Sequence, residues 1–476
     1  MKKKNLSAAI CCGLSLSIYS FAAPSPIWFS SQEGKTWQQH ELANISPASE
    51  SEAPNLRFDP SRTYQTIDGF GGSFNELGWV ALKTATPADR TAALEALFGD
   101  DGCGFTLARI PIGSSDFAIN LDGDPSTPDD DDYSLAETPE DYQLKHFSID
   151  RDRKNLLPYI KAAMETQPNL QCWASPWSPP EWMKENNFYA GGSLRWEPKV
   201  LKTYANYFSK WINAYQDEGV NIFAVTPQNE PNQWQPFPSC VYTGDQLAEF
   251  IGDYLGPTLA KKNKEVELWF GINGDPQHDG DNFNNRIVSV LEDKEANSYL
   301  TGIAFQYDSK NQIAVANEVY PDKKLMQSES ICFNGDNSWA QAMELYRLIK
   351  RHIDGGANQY YAWNMVLDDS GLGPWNWRQN APISVEKATG KVIYNGEFFT
   401  YKHFSHYVRP GAKKILSTGD WGDCIAFLYT DGSVVAVIAN SSNDPHVASL
   451  QVAGSDIVVS QEFPAQSINT VVFPAP

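Results

Sequence analysis

Basic residues are scarce in this chain: 37 Lys and Arg residues stand against 58 Asp and Glu residues, which gives a formal net charge of -21 at pH 7. Nucleic acids and anionic lipid surfaces are polyanions that attract clustered Lys and Arg side chains. We therefore expect no nucleic-acid partner and no stable membrane insertion. Neutral molecules remain suitable partners, and the oligomeric state is left open.

Cysteine is also rare, with 7 residues in 476. Cys11 and Cys12 fall in an N-terminal segment that we expect to be removed. The others form an odd set without close pairing and without the spacing of a metal site: Cys103, Cys172, Cys240, Cys332 and Cys424. We therefore expect at least one free thiol and no disulfide framework.

Metal-binding patterns are missing as well, because the 7 His residues show no metal-like spacing and no Ser-His-Asp set stands out. An acidic stretch over 122–132 resembles a calcium loop, but Tyr133 stands where such a loop has its last glutamate. A solvated acidic loop at the edge of a cleft is the expected role, and calcium binding is left open. Metal-assisted and serine-dependent hydrolysis therefore have little support.

Long apolar runs are absent except near the N terminus. Lysines at 2–4 precede an apolar stretch over 6–21, which ends in small residues before Pro24. This pattern is typical of a secretory signal peptide, and we expect cleavage after Ala22 and a secreted or periplasmic protein. An uncleaved membrane anchor is the alternative, although the stretch is shorter than the ~20 residues that span a bilayer.

Aromatic residues, in contrast, are plentiful: the chain has 15 Trp, 21 Tyr and 24 Phe. Most aromatic side chains belong to cores, so the composition alone is weak evidence of function. Aromatic faces are also the surfaces on which sugar rings stack in open clefts. A neutral carbohydrate is therefore a partner that the composition favours.

Short apolar runs recur between residues 65 and 365, and helix-like segments follow them. The eight runs are 66–70, 105–110, 170–174, 222–226, 266–271, 302–307, 324–327 and 359–364. Helical spacing of apolar residues is seen at 87–98, 198–215, 244–259 and 338–352. The alternation predicts an α/β fold with a (β/α)8 TIM barrel over 65–407.

Beyond Pro410 the helical pattern stops and β-branched segments take over. These segments are 414–417, 424–429, 434–440, 457–460 and 468–473. We expect an attached β-sandwich domain here, completed by strands between 27 and 58. The predicted sandwich is discontinuous, over 23–64 and 408–476.

Two glutamates stand just after apolar runs, Glu230 after the fourth and Glu329 after the seventh. In a TIM barrel the loops after the strands build the active site, so we expect both carboxylates at one mouth. Hydrolysis of a glycosidic bond needs one carboxylic acid to protonate the leaving oxygen and a second carboxylate at the anomeric carbon. Other side chains expected at the same mouth are Arg109, Trp177, Gln306, Trp363 and Asn364.

Six blocks of sequence, in a fixed order, make a family resemblance specific. They are IDGFGGSF at 67–74, RIP at 109–111, SSDF at 114–117, ASPWSPP at 174–180, QNEP at 228–231 and YKHFS at 401–405. From about residue 60 onward the chain resembles the glucosylceramidase family, glycoside hydrolase family 30. The resemblance implies a (β/α)8 barrel with an attached β-sandwich, cleavage of β-glycosides with retention, and no cofactor.

The resemblance also implies roles for single residues. Glu230 would be the acid/base and Glu329 the nucleophile, while Asn229 would hold the sugar 2-hydroxyl. The residues that would line the glucose subsite are Arg109, Asp116, Trp177, Trp363 and Asn380. A structural role stays open for Arg109, as partner of a buried carboxylate, and for Trp177, as a packing residue.

The end of the sixth strand departs from the family pattern. Where glucosylceramidase-type members have His-Trp-Tyr, this chain has Gln306-Tyr307-Asp308, and Gln306 and Tyr307 are the predicted substrate contacts there. This run and the loops at 337–339 and 363–380 resemble the β-1,6-glucanase branch.

A β-1,6-linked glucan is therefore the expected substrate. Glucosylceramide is the second candidate. A non-catalytic glycan-binding protein is the alternative of another class. Endo or exo cleavage is left open.

Overall fold

The computed structural model describes residues 25–42, 44–48, 54–119, 132–274, 282–309 and 311–475. The predicted signal peptide lies outside the described residues, and so does the acidic stretch 122–132 except for Asp132. All five cysteines in the described ranges are free thiols; four of them are buried and Cys332 is half-buried. None of the helices in these ranges has both the length and the apolar character needed to cross a membrane.

The strands fall into three groups along the chain. The first four are β1 (Ile27–Gln32), β2 (Lys35–His40), β3 (Asn44–Pro47) and β4 (Leu56–Thr66). The next eight are β5 (Gly69–Ser73), β6 (Leu107–Ile112), β7 (Gln171–Pro176), β8 (Ile222–Val225), β9 (Glu267–Asn273), β10 (Leu300–Gln306), β11 (Lys324–Glu329) and β12 (Gln359–Asn364). The last are β13 (Val366–Asp368), β14 (Ile383–Val385), β15 (Val392–Tyr394), β16 (Lys413–Gly419), β17 (Cys424–Leu428), β18 (Val434–Asn440), β19 (His446–Val452), β20 (Ile457–Phe463) and β21 (Ser467–Phe473).

Helices alternate with the middle group of strands. They are α1 (Glu76–Thr84), α2 (Pro87–Phe98), α3 (Leu156–Thr166), α4 (Pro198–Asp217), α5 (Gly244–Glu249), α6 (Gly256–Lys262), α7 (Asn282–Glu292), α8 (Lys294–Tyr299), α9 (Gln312–Val319), α10 (Trp339–Asp354) and α11 (Gly396–Ser405). Side-chain caps begin several of them: Thr86 accepts a hydrogen bond from the Asp89 N–H, and Ser338 accepts one from Gln341. Three of the four predicted helices are confirmed as α2, α4 and α10, and the fourth is divided by a π-helical turn, Phe250–Leu255.

Strands β5 to β12 form a closed barrel in which each strand is parallel to its neighbours. The predicted α/β fold with a (β/α)8 TIM barrel is therefore confirmed. Inward side chains fill the barrel interior, all at most 3% exposed: Leu107, Trp173, Trp269, Ala304, Met326 and Tyr361. The carboxyl ends of all eight strands meet at one mouth, where side chains can face a ligand.

The first barrel strand lies three residues later than predicted, at Gly69–Ser73 instead of 66–70. A Gly-rich segment is usually a turn, but here close approach to neighbours requires glycine within the strand. A Cβ on Gly71 would lie 1.9 Å from the Leu107 carbonyl oxygen, and a Cβ on Gly72 would lie 2.3 Å from Met365 Cγ. Contacts with Leu107 and Met365, which no local sequence pattern reveals, therefore explain why the strand includes these glycines and lies later than predicted.

The outer strands form a ten-stranded sheet in the order β2-β1-β21-β18-β17-β16-β4-β19-β20-β3, in which N-terminal and C-terminal segments alternate. Its core is a separate cluster that includes Leu56, Phe58, Ile415, Leu450 and Val471, each at most 1% exposed. Strand β19 was not among the predicted strands, and neither was the small sheet of β13, β14 and β15 that extends from the barrel mouth.

Candidate active site

Glu329 is the last residue of β11, and a β-bulge sets its position. Phe305 on β10 pairs with Gln327, but the next residue, Gln306, pairs with Glu329, so Ser328 is the extra residue on β11. The Ser328 hydroxyl donates to the Phe305 carbonyl oxygen at 3.0 Å. A bulge interrupts the alternation of side chains and re-aims the residue that follows, so Glu329 lies beside Gln306 with 14% of its side chain exposed.

Glu230 lies in the loop after β8 and has a left-handed backbone, with φ of 46°. This conformation is unusual for a residue with a side chain and persists where neighbours fix it. The Asn229 N–H donates to the Pro176 carbonyl oxygen at 2.8 Å. The Gln228 Nε2 group donates to the Trp177 carbonyl oxygen at 2.6 Å. The end of β7 therefore holds the loop that carries Glu230.

Arg109 on β6 connects the two glutamate-bearing segments. Its Nη1 donates to Glu329 Oε2 at 2.5 Å, and its Nη2 donates to Asn229 Oδ1 at 2.6 Å. The Ser175 hydroxyl oxygen accepts from Nη2 at 3.0 Å and from Nε at 3.3 Å. The side chain is fully buried, so these partners compensate a cation that has lost its water. Of the two roles left open for Arg109, the contacts show pairing with a carboxylate.

Three indole rings surround this guanidinium. Trp173, Trp177 and Trp363 place their ring centroids 5.0, 4.5 and 5.2 Å from Arg109 Cζ. Trp177 and Trp363 pack against each other at 5.2 Å and are 1% and 2% exposed. The packing role that stayed open for Trp177 is therefore present. These rings exclude water from the ion pair, which strengthens its electrostatic interaction.

Glu230 is a carboxyl group with an altered acidity. Burial, followed by the negative charge of Glu329, raises the pKa of Glu230 to about 7. The nearby Gln306 amide and a hydrogen bond from Gln235, whose Nε2 group lies 3.3 Å from Glu230 Oε2, act in the opposite direction. Near neutral pH a large fraction of Glu230 is therefore a carboxylic acid, which can donate a proton.

Asp116, in the loop after β6, is 8% exposed and belongs to the same group of carboxyls. Burial and then the charges of Glu329 and Glu230 raise its pKa well above the ordinary value. Its Oδ1 atom has no hydrogen-bond partner among the described residues. Asp116 therefore offers a buried oxygen that a ligand hydroxyl could satisfy.

Tyr307 begins a 3-10 turn directly after β10. Burial and then the charge of Asp308 raise its pKa, and the charges of Glu329 and Glu230 act in the same direction. Gln306 is 1% exposed and contacts Glu230. The structure thus brings both predicted residues of the sixth strand end to the two glutamates.

Asn380, which was predicted to line a sugar subsite, makes hydrogen bonds within the protein. Its Nδ2 donates to Gln341 Oε1 at 2.7 Å and to Glu397 Oε1 at 2.6 Å. Its Oδ1 accepts from the N–H groups of Gly335 at 2.8 Å and Asn337 at 3.4 Å. These bonds use both donors and both lone pairs of the amide, and they join the loop after β11 to α10 and α11. Contact of Asn380 with a sugar stays a prediction.

Family models match almost the whole described chain after the N-terminal strands. The Glycosyl hydrolase family 30 TIM-barrel domain matches residues 67–408, and the Glycosyl hydrolase family 30 beta sandwich domain matches residues 411–471. The chain belongs to glycosyl hydrolase family 30. This family 30 chain is therefore an O-glycosyl hydrolase, and the predicted combination of a TIM barrel with a β-sandwich is confirmed.

Curated relatives of this family 30 chain fall into two groups by name. It is 29% identical over 425 residues to the lysosomal acid glucosylceramidase of Mus musculus, which covers 82% of this chain and 78% of the relative. It is 27% identical over 404 residues to an endo-1,6-beta-D-glucanase of Neurospora crassa, which covers 81% of this chain and 78% of the relative.

Solved structures agree with this family 30 fold. SrfJ from Salmonella typhimurium superposes with a TM-score of 0.85 at 24% identity, covering 95% of this chain and all of that chain. The endo-beta1,6-glucanase BT3312 superposes with a TM-score of 0.84 at 24% identity, covering 95% of this chain and 99% of that chain. At this identity the superpositions show the fold.

Three residues of this family 30 site were not predicted: Trp173, Ser175 and Gln235. The first two could have been found from strand periodicity, since residues 173 and 175 share one face of β7 and the same alternation leads to Trp177 just after the strand. Gln235 lies in an irregular loop, where no periodicity identifies it. Among the described residues of this family 30 chain, no three His, Cys, Asp or Glu side chains are grouped so that they could hold a metal ion.

Proposed function

We propose that the chain hydrolyses β-glucosidic bonds with retention, by double displacement with Glu230 and Glu329, and that β-1,6-glucan is its main substrate. The observation that carries the mechanism is the single buried guanidinium of Arg109, which binds Glu329 and Asn229 at once. A nucleophile and a sugar-binding amide are thereby held in a fixed relation to each other.

In the first half of the reaction, Glu230 gives its proton to the leaving oxygen while Glu329 attacks the anomeric carbon. The raised pKa of Glu230, about 7, makes its proton available. In the ion pair with Arg109, Glu329 is a carboxylate of fixed orientation, and attack forms a glycosyl ester.

In the second half, Glu230 acts as a base. Ester formation removes the charge of Glu329, so the pKa of Glu230 falls and its carboxylate can take a proton from water. The water attacks the anomeric carbon and releases the sugar. Asn229 Oδ1 accepts a hydrogen bond from Arg109, so the Nδ2 group of Asn229 is the donor for the sugar 2-hydroxyl.

Two arguments support a glucan as the substrate. A relative of this chain is named for endo-1,6-β-glucanase activity. In addition, Gln306-Tyr307 at the end of the sixth strand resembles the β-1,6-glucanase branch of the family. Glucosylceramide is the second candidate, because another relative is a glucosylceramidase. A pure binding function needs no acid with a raised pKa beside an ion-paired carboxylate. We also propose that the N-terminal signal directs export.

A substrate panel tests the proposal. Purified protein is incubated with pustulan, laminarin and glucosylceramide, and the products are separated by chromatography. We expect β-1,6-linked oligomers from pustulan and little product from the others. Proton NMR of the earliest product should show the β-anomer. Release of ceramide alone, an α-anomer first, or no product from any substrate would each contradict part of the proposal.

The acidity of Glu230 predicts a pH dependence. Because the protonated form is the active one, kcat/KM should fall about tenfold per pH unit once the pH exceeds about 7. The measurement is a pH profile with a β-1,6-gluco-oligosaccharide. The control is 2,4-dinitrophenyl β-glucoside, whose leaving group needs no proton and whose kcat/KM should lack this basic limb. A flat profile to pH 9 with the oligosaccharide would exclude Glu230 as the acid.

A further inference from the structure

The loops beside Glu230 carry two exposed indole rings that the proposed mechanism does not use. Trp234 is 67% exposed and Trp377 is 46% exposed. Single exposed apolar side chains are common on protein surfaces, so the exposure alone indicates no partner. Both residues belong to loops of the barrel mouth, and their surroundings indicate what they could bind.

The Trp234 ring is held in place although it is exposed. A Cβ on Gly191 would lie 1.6 Å from Trp234 Nε1, so the indole rests directly on the glycine backbone. The Ser239 hydroxyl oxygen accepts from the N–H of Gly191 at 2.9 Å and from that of Gln235 at 3.2 Å. The two loops are therefore fastened together, and the ring presents a preorganised face.

Trp377 is anchored from a different part of the barrel mouth. Its ring packs edge-on against Phe237 at 5.7 Å, and Phe237 lies three residues after Trp234 in the same loop. The adjacent Arg378 donates to the Ser370 carbonyl oxygen at 3.0 Å and to the Gly335 carbonyl oxygen at 3.3 Å. Phe237 thus connects the loop of Trp377 to the loop of Trp234.

The position of Glu230 indicates which part of the substrate the loops of Trp234 and Trp377 would contact. An acid/base lies next to the leaving oxygen, so groups beyond it contact the leaving part of the substrate. Gln235, the neighbour of Trp234, donates to Glu230 Oε2 at 3.3 Å and to Gln233 Oε1 at 3.0 Å. Flat apolar faces next to side-chain amides match a pyranose ring, which has apolar C–H faces and hydroxyl edges. An aliphatic chain offers no groups for the amides.

We propose that Trp234 and Trp377 form a leaving-group platform, which binds the glucosyl units that follow the scissile bond in a β-glucan chain. The inference rests on the proposed function and specifies which part of the polymer the platform binds. Because the platform binds the departing chain, kcat/KM should depend on how many glucosyl units follow the scissile bond.

The test compares Trp234→Ala and Trp377→Ala with the wild-type enzyme on two substrates. A β-1,6-linked glucopentaose needs the platform, whereas β-glucosyl fluoride has a leaving group without a ring. We expect kcat/KM for the pentaose to fall about tenfold or more in each variant, and that for the fluoride to change less than twofold. Tyr64→Ala is the matched control, because Tyr64 is 46% exposed like Trp377 but lies on β4.

The outcomes separate the two proposals. If the wild-type enzyme cleaves the pentaose and both Trp variants cleave it equally well, the platform is refuted while the proposed function stands. If the variants lose glucosylceramide cleavage instead, Trp234 and Trp377 bind lipid and the leaving-group platform is refuted. If the wild-type enzyme cleaves only the fluoride, β-glucan is not the substrate and both proposals fail. Equal losses on the pentaose and the fluoride would indicate damage to the site and would also overturn the platform.

Discussion

Glu329→Gln is expected to lower kcat for glucan hydrolysis by at least about 10⁴-fold, because an amide cannot form the glycosyl ester. The replacement keeps the size of the side chain, so the sugar pocket keeps its shape. It also leaves the buried Arg109 cation without its carboxylate, so we expect a lower melting temperature as well. Activity and thermal unfolding should be measured on the same preparation.

A fluorinated inactivator checks the assignment without depending on folding of a variant. 2-Deoxy-2-fluoro-β-glucosyl fluoride should label the wild-type enzyme, and mass spectrometry of its peptides should place the label on Glu329. For the activity of Glu329→Gln, the control is Glu318→Gln on α9, which also removes one negative charge but at an exposed position. A label on any other residue would remove Glu329 from the role of nucleophile.

Replacement of Glu230 should give the second largest effect, and its size should depend on the leaving group. Glu230→Ala and Glu230→Gln are expected to lose about 10²- to 10⁴-fold in kcat for glucan, since the departing oxygen receives no proton. Formation of the glycosyl ester from 2,4-dinitrophenyl β-glucoside should change far less. Burst kinetics with this substrate should then show fast release of dinitrophenol and a slow second step.

External azide distinguishes the two variants. In Glu230→Ala the missing carboxyl leaves room for azide, which should attack the glycosyl ester and give β-glucosyl azide. Glu230→Gln fills that space, so rescue should be slower. Equal rescue of both variants, or full activity in the Gln variant, would contradict the assignment of Glu230.

The barrel and Glu230 were predicted from local signals, whereas Glu329 was predicted from its position after the seventh apolar run and from the family resemblance. Apolar runs followed by helical spacing indicate parallel strands, and Asn229-Glu230-Pro231 is a short block at the end of such a run. Arg109 was predicted for the site, but its choice between pairing and sugar contact needed the positions of Glu329 and Asn229, which lie 220 and 120 residues away.

The features that the sequence did not reveal have the same physical origin. Asn380 makes four hydrogen bonds with segments that are not adjacent to it in the sequence. The first barrel strand was displaced because only the packing of β6 and Met365 shows why Gly71 and Gly72 must lie within a strand. Hydrogen-bond satisfaction and interstrand packing are properties of the folded chain, so no local pattern reports them.

The guanidinium of Arg109 also has a consequence for assembly. Its partners come from β7, from the loop after β8 and from β11, on opposite parts of the ring. A partly formed ring without β11 would lack the carboxylate that pairs with this cation. A fragment of the barrel would therefore not contain a working half of the site.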